Sequence, residues 1–67
     1  GDRPTFSFIG VALEGDRRTA IFLMEDGQVV IVGVGGALEH QYRVGGIEEA
    51  AVTIFDSNGT VRRHELR

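Results

Sequence analysis

The stretch VIVGVGGALEHQYRV, Val30 to Val44, sets Gly33, Gly35 and Gly36 among apolar residues, and glycine-rich loops of this kind can cradle a phosphate. Such a loop works when a helix begins directly after the glycines, so that its N-terminal amides and dipole meet the anion. Here Ala37-Leu38-Glu39-His40 leaves room for one turn at most before a strand-like Tyr42-Arg43-Val44. Neither Gly-x-Gly-x-x-Gly nor Gly-Lys-Ser/Thr is present. The glycines therefore predict a corner in a β scaffold, where Gly33 and Gly35 allow positive φ or close backbone approach and Leu38 returns to the core.

The other chemistry-bearing residues are equally sparse. His40 and His64 are the only imidazoles, each beside an acid at Glu39 and Glu65, and their spacing supplies no set of three or four convergent metal ligands. They read as solvated strand residues. Ser7 falls inside a strand and Ser57 in a tight turn, with no nucleophile-elbow pattern around either. The acid pairs Glu25-Asp26 and Glu48-Glu49 fall in turns, where carboxylates are ordinarily solvated rather than held in a pocket that shifts their pKa. Asn58-Gly59-Thr60 matches a glycosylation acceptor, but a hairpin turn accounts for Asn-Gly as well. No catalytic residue, metal ligand or cofactor site is assigned.

These residues must be positioned by a very small scaffold. A chain of 67 residues reads as one domain over 1–67, and at that size only about 60% of the unfolded surface is buried, which leaves no room for an enclosed substrate cleft. Cysteine is absent, so neither disulfides nor thiolate zinc can stabilise it. Ten acids against seven arginines give a net charge of −3, which disfavours nucleic acid as a ligand. No apolar run approaches the roughly 18 residues of a membrane span, and no signal-peptide pattern is present. The abrupt GDRP opening reads as an excised domain with Gly1 a cloning remnant, cut from a longer parent chain.

Apolar, β-branched segments alternate with turn signals along the whole chain, which predicts an all-β fold: a small sandwich or open barrel of about six short antiparallel strands. They are Thr5 to Leu13, Thr19 to Met24, Gln28 to Val32, His40 to Val44, Ala51 to Phe55 and Thr60 to Leu66. Gly15-Asp16 closes the first hairpin, and Asp26-Gly27 signals a second of type I′. Gly45-Gly46 marks a bend or bulge. The second and third strands are apolar at nearly every position, so both faces of that hairpin are expected to be covered. Arg62, Arg63, His64 and Glu65 mark the last strand as an edge protected by charge.

The first strand is the informative one. Phe6 and Phe8 alternate on one face while Ile9, Val11 and Leu13 alternate on the other, more apolar surface than one terminal strand readily buries. Either the strand is simply core, with a bulge at Gly10 turning both sets inward, or part of it meets a partner.

In order, FSFIGVAL, TAIFLMEDGQVVIVGVGGAL, YRVGGI, AVTIFDSNG and a closing HEL resemble a bacterial envelope family. It comprises the periplasmic homology region of the inner-membrane C protein of type II secretion systems and the related lipoprotein P of type IV pilus machines. The matches are an aromatic-rich start ending in glycine (Phe6, Phe8, Gly10), an Ala-led apolar strand (Ala20 to Leu23) and a glycine corner (Val34, Gly35, Leu38). A Tyr-x-Val strand (Tyr42, Val44) leading to Ile47 follows, then Val52 to Phe55 before Gly59. Gly36 departs from the pattern, since the family carries an acid after the corner glycine.

The resemblance implies a two-sheet β-sandwich in the periplasm, on a parent chain anchored in the inner membrane. It implies a non-enzymatic module that docks on the N-terminal periplasmic domain of the outer-membrane secretin and joins it to other inner-membrane platform proteins. The family's mode of docking, with the surplus apolar surface, nominates Phe8, Ile9 and Val11 on the first strand and Val30 and Val32 on the third. The competing readings are an SH3-like or Sm-like barrel binding RNA or peptide, and a structural subdomain of a larger protein.

Overall fold

The computed structural model describes residues 5–66, and within them every regular element is a strand. The reading of Gly1 lies outside these residues. The strands are β1 (Phe6–Glu14), β2 (Arg17–Met24), β3 (Val29–Gly33), β4 (Ala37–Leu38), β5 (Tyr42–Ile47), β6 (Ala51–Asp56) and β7 (Val61–Glu65). They form two antiparallel sheets, β1-β2-β3 and β4-β5-β6-β7, which do not close into a barrel. The fold is a small sandwich. All six expected strands are present, and β4 is additional.

The core lies between the sheets. Phe6, Ala20 and Phe22 come from one, and Leu38, Val44, Val52 and Ile54 from the other. Phe6 packs edge-on against Phe22 at 5.5 Å and Tyr42 at 5.2 Å, so one ring ties β1 to its own sheet and to the facing one.

Between the sheets the chain turns at the glycine stretch. Gly36 N–H donates to the Gly33 carbonyl at 3.0 Å, and Gly35 has a φ of 86°. Positive φ at the third position of a four-residue turn is the requirement of type II geometry. Gly35 N–H then donates to the Val44 carbonyl at 2.8 Å, and Val44 N–H to the Gly36 carbonyl at 2.9 Å, which fixes the corner on β5. Leu38 follows, buried. The expected corner is there, and it leads into a two-residue strand. β5 starts at Tyr42 rather than His40 because Glu39, His40 and Gln41 make the next turn, with Glu39 in the left-handed region at φ 57°.

Three local features set the faces of the sheets. In β1 the register shifts between Phe8 and Gly10, with Ile9 the extra residue. Phe8 lies opposite Phe22 and Val11 opposite Ala20, so even-numbered residues before the bulge and odd-numbered ones after it share the inner face. In β5 a second shift falls between Val44 and Gly46. The third is the β2–β3 loop, which corrects the type I′ expectation. Only Gly27 has positive φ, Gly27 N–H donates to the Met24 carbonyl at 2.9 Å, and Met24 N–H donates to the Gln28 carbonyl at 2.7 Å. This is a three-residue loop, a type I turn followed by a left-handed glycine. The β6–β7 loop repeats it, with Gly59 N–H on the Asp56 carbonyl and Asp56 N–H on the Thr60 carbonyl.

A second correction concerns coverage of the β2–β3 hairpin. Its inner face packs on the core, but Leu23, Val29 and Ile31 are exposed. A two-layer sandwich has no third layer to cover them. β7, by contrast, is the charged edge that was expected, with Arg63 paired to Glu48 at 3.1 Å and to Glu65 at 2.9 Å.

Candidate docking face

The outer face of β1-β2-β3 is built by cross-strand rows. Ile21 of the central strand stands between Gly10 and Ile31, and Leu23 between Ser7 and Val29. Gly10 contributes no side chain, and Ile21 Cδ1 lies 3.5 Å from where its Cβ would be, so Ile21 leans across β1. The bulged Ile9 is 48% exposed, Leu23 40%, Val29 58% and Ile31 61%. Together these five aliphatic residues make one apolar face on the open side of the sheet. Glu14 and Arg17 stand at one end of the sheet and Glu25 and Asp26 at the other.

Of the five residues nominated from the sequence, only Ile9 is exposed. Phe8, Val30 and Val32 are half-buried and pack against the core, and Val11 is half-buried opposite Ala20. Their apolar surface serves the sandwich. Sequence reasoning missed Ile21, Leu23, Val29 and Ile31. The signal was available: a hairpin apolar at every position, in a chain too short for a third layer, must leave one set of side chains without a core.

The residues with chemical potential lie apart from one another. Ser7 is exposed on β1 and Ser57 on the β6–β7 loop, while His40 is exposed in the turn before β5. His64 is half-buried on β7 with its ring 5.9 Å from that of Phe6, and burial together with the Arg62 charge lowers its pKa from the usual imidazole value. Glu48 is engaged by Arg63. Among the described residues no three His, Cys, Asp or Glu side chains converge as metal ligands.

One open groove lies where the β1–β2 hairpin meets the corner, lined by Leu13, Arg17, Arg18, Val34 and Ile47 among others. Arg18 Nη1 donates to the Ile47 carbonyl at 3.3 Å and so bridges the two sheets. Leu13 and Val34 on its rim are exposed. It brings together no nucleophile and base.

Compared with family models, with curated proteins and with solved structures, the chain matches nothing in any of the three.

Proposed function

We propose that this chain is a non-enzymatic docking module of a bacterial type II secretion or type IV pilus machine. It acts in the periplasm on a parent chain anchored in the inner membrane, and links platform proteins to the N-terminal periplasmic domain of the outer-membrane secretin. The observation that carries the reading is the contiguous apolar face of Ile9, Ile21, Leu23, Val29 and Ile31 on a domain whose core is already complete without it. The resemblance in the order of strands and glycines supplies the identity of the partner.

Binding follows from removal of that face from water, worth about 25 cal/mol per Å² before the entropy of association is subtracted. A face of this size gives a contact below roughly 1,200 Å², the class of weak and transient interfaces, which gains strength through many copies acting together.

The test is a two-dimensional amide NMR titration with the N-terminal domain of a secretin. Shifts confined to β1, β2 and β3 are expected, and Ile9→Arg or Leu23→Arg should remove them while the spectrum stays dispersed. A dispersed spectrum with no response at high secretin concentration overturns the reading.

A further inference from the structure

The sandwich leaves four strands at the margins of its two sheets, and three of them carry a device that blocks pairing with another chain. β1 has the bulge at Ile9, β4 is two residues long, and β7 presents Arg62, Arg63, His64 and Glu65. β3 has none. Val29-Val30-Ile31-Val32-Gly33 contains no charge, no proline and no bulge, and among the described residues it pairs with β2 alone. Apart from the Gly33 carbonyl, which already accepts from Gly36 N–H at 3.0 Å, its outer row of backbone N–H and C=O groups is a template for one more strand.

We propose that a second copy of this chain fills that place, β3 pairing antiparallel with β3 of its twin about a two-fold axis at Ile31. The register is self-consistent. It sets Val29 opposite Gly33 of the other copy, Val30 opposite Val32, and Ile31 opposite itself, so half-buried Val30 and Val32 stay on the inner face and exposed Val29 and Ile31 on the outer. The two sheets become one of six strands.

Charge complementarity selects this orientation. At the start of β3 stand Glu25 and Asp26, while its far end adjoins a groove that holds Arg17 and Arg18 against the single acid Asp16, with Arg43 close by. Arg18 precedes Thr19, which pairs with Gly33, and Arg43 Nη1 donates to the Gly35 carbonyl at 2.7 Å. Antiparallel pairing brings the acidic end of each copy to the basic end of the other, whereas parallel pairing would set acid beside acid. A five-residue edge buries little surface, so the association is weak and concentration-dependent.

Sedimentation equilibrium from roughly 10 µM to 1 mM, a range suited to interfaces of this size, reads the outcome directly. The mass should climb toward twice the monomer value, with amide shifts on dilution centred on β3. Ile31→Lys sets two like charges opposite each other at an exposed position and should weaken dimerisation by up to about fivefold. Val61→Lys, exposed on the other sheet, should leave it unchanged. A monomer throughout the range, or an Ile31→Lys dimer as tight as the original, overturns the proposal. No secretin is present in the assay, so the result is independent of the docking reading above.

Discussion

The ring of Phe55 lies across the backbone of Gly45, covering the place where any other residue would carry its side chain. A Cβ on Gly45 would overlap ring atom Cε2 and stand 2.8 Å from Cδ2 and 2.9 Å from Cζ. Gly45 sits in the β5 bulge and Phe55 on β6, in the row Arg43-Phe55-Val61. The aromatic ring thus fills the gap that a glycine leaves in a sheet. Gly45→Ala should expel it and cost about 1–2 kcal/mol, a large part of the stability of so small a domain. Thermal melting measures the loss. In Phe55→Ala the same glycine substitution should cost much less, and equal costs in both backgrounds would show that the two residues do not act together.

Gly36 is held to glycine by a different neighbour. Its Cβ would meet Val32 Cγ1 at 2.5 Å and the Gly33 carbonyl at 3.0 Å, the same carbonyl that accepts the Gly36 N–H. The acid expected at this corner from the family pattern does not fit the turn as it stands here. Gly36→Asp should destabilise by about 1–3 kcal/mol through forced displacement of backbone and Val32. Gly46→Ala, where a Cβ meets nothing within 4 Å, is the control and should change stability by less than about 0.5 kcal/mol. Urea midpoints compare the two, and equal losses would remove the corner's steric requirement.

Much of this architecture was legible in the residues. Turn signals and apolar runs located six strands, and the glycine stretch announced the corner because no helix could follow it. What stayed hidden were choices between locally equivalent patterns. Ala20 and Phe22 differ little in polarity from Ile21 and Leu23, so periodicity alone could not say which pair faces the core. The β1 bulge and the hairpin register decide it. Asp26-Gly27 suits both a two-residue type I′ loop and a three-residue loop, and the pairing of Leu23 with Val29 selects the latter. Ala37-Leu38 is too short to stand out as a strand. The docking nomination shared the first fault, since it took the apolar residues of β1 and β3 without knowing their faces.

The two type I loops share a fold but not a strength of support. Asp56 Oδ1 accepts from both Asn58 N–H and Thr60 N–H, each at 2.9 Å, whereas Asp26 Oδ1 accepts from Gln28 N–H alone at 3.0 Å. A side-chain oxygen that gathers backbone donors holds the turn in its geometry. Asp56→Ala should therefore cost about 1–3 kcal/mol and Asp26→Ala about half of that. Asp56→Asn, which keeps an acceptor, should recover most of the loss. Chemical denaturation of the three variants gives the order, and an equal cost for both alanine variants would separate loop stability from these bonds.

His64 gives the fold a dependence on pH with a definite sign. Desolvation beside Phe6 is the larger cause of its lowered pKa and the charge of Arg62 the smaller, so the folded protein takes up its proton less readily than the unfolded chain does. Where the unfolded state binds more protons, stability rises with pH. The contribution is complete above about 6.5, the ordinary imidazole value, and is lost progressively as pH falls from there through the folded-state pKa. Melting between pH 7.5 and 5 should show the midpoint falling across this window, and His64→Gln should fall less over the same interval. Arg62→Gln removes the smaller cause and should move the imidazole NMR titration midpoint of His64 part of the way back up. A midpoint at or above the ordinary value in the original protein would place the ring in water, and the contact with Phe6 would then contribute nothing to the pH response.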